Sequence, residues 1–254
     1  SYMAALPITP ISAPEPVRPL SESERLIDTF VAPTKTFTDL MRNAAWWAPF
    51  LIMVIFSAAF VYVGGQKVGF RKAMENQMRA QPKQQAQLEQ LPPDERERRL
   101  QTATKITKGI SYAFPAIQLL ILVIIAAVLF ATFKFAAGAD VSFKVAMAIV
   151  VYAGLPGLLR VVLAVFSLLV GASPDSFTFQ NQVATNPGYF MNPADSPFLY
   201  SLASSFDIFL IWTLVLTAIG FTCVSKVNRG TALAIVFGWW LVFTLIGAGL
   251  ASLS

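Results

Sequence analysis

Histidine is absent from this chain, and cysteine occurs once, at Cys223. Zinc sites, imidazole proton relays, Ser-His-Asp triads and Cys-His nucleophiles are therefore excluded within it, because each needs imidazole or several thiolates. No disulfide can close inside the chain. Charge is scarce as well: 13% of the 254 residues are Asp, Glu, Lys or Arg, about half the share of a soluble domain. The start of the chain lacks a basic segment followed by an apolar core and carries Pro7, Pro10, Pro14, Pro16 and Pro19 instead. Residues 1–20 are therefore expected to form a disordered arm and not a cleaved signal peptide.

What is present is apolar: 56% of residues are hydrophobic and the mean hydropathy is +0.61. Runs at residues 46–64, 112–137, 143–171, 200–224 and 231–253 are each long enough to cross ~30 Å of hydrocarbon as a helix. The expected fold is all-α: a polytopic membrane protein with five transmembrane helices in one domain over residues 21–254. Residues 66–110 form a polar helical insert between the first two spans. Ten of the nineteen basic residues lie between Lys67 and Lys108, so the net charge of +5 is a local feature, and a nucleic-acid partner has no support.

Before the first span, Ser21-x-x-Glu24 has the form of a capping box, and Leu26, Ile27, Phe30 and Val31 follow at helical spacing. Pro33 stops that helix, and Thr36-x-x-Asp39 can cap a second one carrying Phe37, Leu40 and Met41. This pair is expected to lie flat on the membrane, anchored by Phe30, Phe37, Trp46 and Trp47. Within the insert, Phe70, Met74 and Met78 recur every fourth residue as a packing face or, less simply, a docking stripe. In the fifth span, Ala234/Gly238 and Gly247/Ala251 at i,i+4 spacing predict close helix packing. Trp212, Trp239 and Trp240 lie mid-span and read as core.

Two charges lie deep in apolar runs, Arg160 and Asp207. With residues 171 and 200 at one membrane surface they sit about 16 Å and about 10 Å below it, a difference that an arginine side chain can cover. The third span also holds Gly154, Pro156 and Gly157, which should kink or break it. The first expectation is a bidentate Arg160–Asp207 pair that fixes helix packing. The alternatives are a polar pocket at Pro156, Arg160 and Asp207 for an ion, lipid headgroup or substrate, and no pairing, each charge meeting a partner subunit, water or a lipid phosphate. An intramembrane aspartyl protease is rejected, because Ala137-Gly138-Ala139-Asp140 only loosely echoes Gly-x-Gly-Asp and Asp207 follows phenylalanine. No enzyme activity, cofactor or metal is expected.

Orientation follows the basic residues of the short connections. Lys134/Lys144, Lys226/Arg229 and the third loop without Lys or Arg ask for a cytoplasmic N-terminus, whereas the insert asks for the opposite. The three short connections are weighted above the one long segment.

The Pro33-x-x-Thr36-Phe37 segment with Trp46-Trp47 and Pro49, the insert, and Phe143-Lys144-x-Ala146 with Tyr152-Ala153-Gly154-Leu155-Pro156 form an ordered set of features. With Asp207-Ile208-Phe209-Leu210-Ile211-Trp212 and Gly238-Trp239-Trp240, that order resembles the bacterial branch of the Yip (Ypt-interacting protein) family of five-span membrane proteins, over about residues 25–253. The resemblance implies a cytoplasmic N-terminus and a bacterial inner (cytoplasmic) membrane. It brings no catalytic residues. Its partners would be membrane lipids and other integral membrane subunits, such as an export ABC transporter with a periplasmic adaptor. The expected function is a non-enzymatic accessory or scaffold subunit of a larger membrane complex. The alternatives are a small transporter or channel using Arg160/Asp207, and a lipid-binding or membrane-shaping protein.

Overall fold

A computed structural model describes residues 18–79, 81–171, 173–175, 177–179 and 181–253. Except for residues 18–20, the expected disordered arm lies outside them.

The described residues form eleven α-helices and no strand. Two short helices, α1 (Glu22–Val31) and α2 (Pro33–Asp39), precede α3 (Trp47–Lys67). The insert supplies α4 (Phe70–Arg79), α5 (Pro82–Glu89) and the start of α6 (Pro93–Ala131), which continues into a π turn, Thr132–Ala136. Then follow α7 (Phe143–Ala153), α8 (Pro156–Leu169), a 3-10 turn (Pro187–Phe190), α9 (Pro197–Ser204), α10 (Ile208–Val224) and α11 (Arg229–Leu253).

Local sequence chemistry sets many of these boundaries. Ser21 and Glu24 close a reciprocal capping box on α1. Proline opens α2, α5, α6, α8 and α9, where its missing N–H costs nothing. Gly138 takes φ +66° and turns the chain between the π turn and α7.

Four helical stretches are long and apolar enough to cross a membrane: Trp47–Lys67, Pro93–Ala136, Phe143–Leu169 and Arg229–Ser252. A fifth crossing exists if α9 and α10, bent by 54°, count as one. The continuous fourth helix expected over residues 200–224 is thus corrected to a helix, a break at residues 205–207 and a second helix. Asp207 causes the break, because its carboxylate caps α10 and its backbone is extended (φ −75°, ψ 133°).

The core is built around α7, in which every residue from Ala146 to Ala153 is buried. Phe133 of the π turn and Phe221 of α10 stack with centroids 3.9 Å apart. Gly220 lets α10 approach α7 closely, since a Cβ there would lie 2.5 Å from Ile149 Cγ2.

Two expectations about apolar faces are corrected. First, Phe37 is fully buried beside Gly220, and Phe30 packs edge-on against Trp212 at 5.8 Å, so neither anchors a helix lying on a surface. Helices α1 and α2 pack into the bundle against α7 and α10 and leave Ile27, Val31 and Met41 facing outward. The cause is a set of buried polar groups on their inner face, described below. Trp46 is half-buried against Phe50, and Trp47 remains exposed at the mouth of α3. Second, α11 buries Ala232, Val236, Thr244 and Ala248, whereas Ala234 is exposed and a Cβ on Gly238 or Gly247 would meet nothing within 4 Å. Trp239, whose indole N–H donates to Thr132 Oγ1 at 3.0 Å, fixes that rotation.

The insert is fastened to its surroundings. Arg71 of α4 forms two bonds to Glu97 of α6, at 2.8 and 2.9 Å, and Asn76 donates to the carbonyls of Pro174 and Phe177, both at 2.8 Å. Met74 is buried and Phe70 packs on Tyr112 and Phe179, so at these positions the Phe70/Met74/Met78 stripe is an internal packing face.

Candidate functional site

Asp207 occupies the break between α9 and α10 and is 2% exposed. Its Oδ1 accepts from the N–H groups of Phe209 (3.0 Å) and Leu210 (3.1 Å), and its Oδ2 accepts from the Thr185 hydroxyl. Thr185 binds twice, because its carbonyl also accepts from the N–H of Ile208 at 3.1 Å. The loop carrying Thr185 is held by Asn186, which donates to Asn181 (2.8 Å), and by Gly188, seated so tightly on α9 that a Cβ would lie 2.7 Å from Ser204 N. An isolated carboxylate at membrane depth is costly; this one is solvated by two backbone amides, a hydroxyl and the positive end of a helix dipole.

Arg160 does lie beside it, but Nη1 is 3.9 Å from Asp207 Oδ2, and this single long contact replaces the expected bidentate pair. The physical reason is that Thr185 and the α10 amides already occupy the carboxylate. The Arg160 side chain is 41% exposed. It lines a cleft of about 380 Å³ between α3, α6 and α8, together with Ser57, Phe60, Ser111, Phe114 and Gln182. Among the described residues no hydrogen bond to the guanidinium is formed. The break in the third span leaves α7 at Ala153 and resumes at Pro156. Gly154 lies against Met53 of α3, and Gly157 donates to the Gly154 carbonyl at 3.0 Å.

A second polar centre, which the residue pattern did not disclose, joins α1, α2 and α7. Arg25 is 1% exposed. Its Nε donates to Asp39 Oδ2 at 2.7 Å, Nη2 lies 2.5 Å from the same oxygen, and Nη1 reaches Glu22 Oε1 at 3.3 Å. The Thr29 and Thr36 hydroxyls both donate to the Arg25 carbonyl, at 2.7 and 3.0 Å, and Tyr152 donates to Glu22 Oε2 at 2.9 Å. Burial works to lower the Arg25 pKa, but the Asp39 carboxylate outweighs it and the net shift is upward. Burial likewise works to raise Asp39, and its bonds to Arg42 and Arg25 bring it below the ordinary carboxylate range. The available signal was the i,i+4 recurrence of Arg25 and Thr29 on the helix side opposite Ile27, and a lone tyrosine, Tyr152, in the third span.

These two centres hold helices together and satisfy buried charges. Among the described residues, no three carboxylate or cysteine side chains gather to hold a metal ion. In comparison with known proteins, residues 27–251 match the family model of the Yip1 domain. No match was found among curated proteins or among solved structures.

Proposed function

Because this chain belongs to the Yip1-domain family, a family of membrane proteins, and is itself an integral membrane protein, we propose that it serves as a non-enzymatic accessory or scaffold subunit of a larger membrane complex. The observation that carries this reading is the outward side of α11. Only 17% of its most apolar stretch is buried within the chain, and Ala234 and Gly238 present a small-residue surface with open space above it. Such a surface permits close approach of a neighbouring transmembrane helix. The proposed partner is an export ABC transporter with a periplasmic adaptor, in a bacterial inner membrane, as the resemblance to the bacterial branch implies.

The proposed orientation places the N-terminus in the cytoplasm. Helix α2 packs on the C-terminal half of α10, through Phe37 beside Gly220, at the end nearest the Lys226/Arg229 turn. The insert then projects on the outer side. A transport reading has less behind it, because Asp207 is buried with both oxygens engaged and does not line the cleft.

Affinity purification from native membranes tests the proposal. A partner transmembrane subunit should copurify with the wild type and be lost with Gly238→Leu, while the variant itself stays folded. Purification of the protein alone, at monomer mass, would overturn it.

A further inference from the structure

We propose that the cleft beside Arg160 binds the phosphate of a membrane glycerophospholipid, with Arg160 as the ligand of the phosphate. The inference does not depend on the accessory-subunit reading.

A guanidinium carries five N–H donors, and among the described residues those of Arg160 have one polar contact, the 3.9 Å approach to Asp207. Asp207 cannot take up more of that charge, since its oxygens are held by Thr185 and by two amides at the start of α10. Among the described residues no carboxylate lines the cleft. A half-exposed arginine flanked by apolar helix surface needs an anionic or strongly polar partner, and phosphate matches a guanidinium in geometry and charge.

Ser57 of α3 lies 3.5 Å from Gln118 of α6, and the later residues Phe60 and Val61 of α3 share the cleft with the earlier residues Ile110, Ser111 and Phe114 of α6, so the two helices run antiparallel past it. Its rim on α6, Ile110 and Ser111, is where the apolar run of that helix begins, one turn from the exposed Lys108. The rim therefore stands at the hydrocarbon boundary, where lipid phosphates lie. Arg160 of α8 lines the same cleft.

The walls are amphiphilic, with Phe60 and Phe114 beside Ser57, Ser111 and Gln182. Ile110 and Phe114 are exposed on the flank, where acyl chains of a bound lipid would run. A free phosphate would find polar contacts at Arg160 and no use for the aromatic walls. The lipid is therefore the better fit of the two sources.

Native mass spectrometry of the delipidated full chain in detergent tests this with equimolar phosphatidylglycerol and diacylglycerol of the same acyl chains. The wild type should retain phosphatidylglycerol roughly tenfold more than diacylglycerol, the ratio that a charge-assisted hydrogen bond produces. Arg160→Gln should bring the two lipids to equal retention, and Arg160→Lys should keep part of the preference. Ser111→Phe, which fills the cleft without touching Arg160 or Asp207, should lower phosphatidylglycerol retention too; it decides the matter if Arg160→Gln fails to elute as a folded species. Undiminished preference in a folded Arg160→Gln or Ser111→Phe variant would overturn the proposal. Displacement of phosphatidylglycerol by millimolar inorganic phosphate would overturn the lipid assignment in favour of a free anion.

Discussion

Two of the arginines that sit against carboxylates, Arg25 and Arg160, have opposite fates. Arg25 is enclosed and holds Asp39 and Glu22 from three of its nitrogens, whereas Arg160 is 41% exposed and touches Asp207 once, at 3.9 Å. At the first site the cation is the fixed centre, and two threonine hydroxyls even secure its carbonyl. At the second the carboxylate is fixed, by backbone amides and Thr185, and the cation remains free to act. Opposite charges at contact distance thus do not identify a lock; what matters is which of the two has its remaining hydrogen-bonding capacity filled.

The largest expected effect comes from breaking the first site. Arg25→Met leaves Glu22 without its cation and Asp39 with Arg42 alone, and should cost about 3 kcal/mol in reversible unfolding from bicelles, the low end for breaking a buried pair. Next is Gly188→Ala, which pushes the Thr185 loop off α9 and should cost about 1–3 kcal/mol by overpacking. Asp207→Ala removes the cap of α10 and should cost about 1–2 kcal/mol. Adding Arg160→Ala to it should change little, with a coupling below about 1 kcal/mol, the ordinary value for exposed ion pairs. A coupling at Arg160/Asp207 as large as at Arg25/Asp39 would erase the distinction drawn above.

The smallest effect is in acid. Asp39 is held below its ordinary pKa of 3.8, so its stabilisation is complete above that pH and is lost as pH falls through the folded-state value. Wild-type stability should therefore drop in that window more steeply than that of Asp39→Asn, as measured by unfolding at a series of pH values.

Long apolar runs made the all-helical membrane architecture readable, and proline and capping residues made many helix starts readable. Asp207 stood out as a charge in an apolar run, yet an aspartate directly before such a run is also a helix-start signal. Read that way, it places the α9/α10 break without any reference to Arg160. The partnership of Arg25 was harder to see, because Glu22 and Tyr152 lie 130 positions apart and Asp39 sits in another short helix. Thr185 lies in a loop with no periodicity to mark it. The rotation of α11 depends on a hydrogen bond from Trp239 to Thr132, and nothing in the spacing of its small residues encodes that contact.

Helix α6 runs unbroken for 39 residues from the insert into the apolar bundle, a rod of about 58 Å. Its outer third is riveted to α4 by Arg71 and Glu97, and its far end passes through the π turn to the Phe133–Phe221 stack. A pull on the insert is therefore a pull on a lever whose short arm ends at α10. The one internal residue of α6 that lacks a backbone N–H to hold this rod together is Pro115, so a bend under load would be taken up there first.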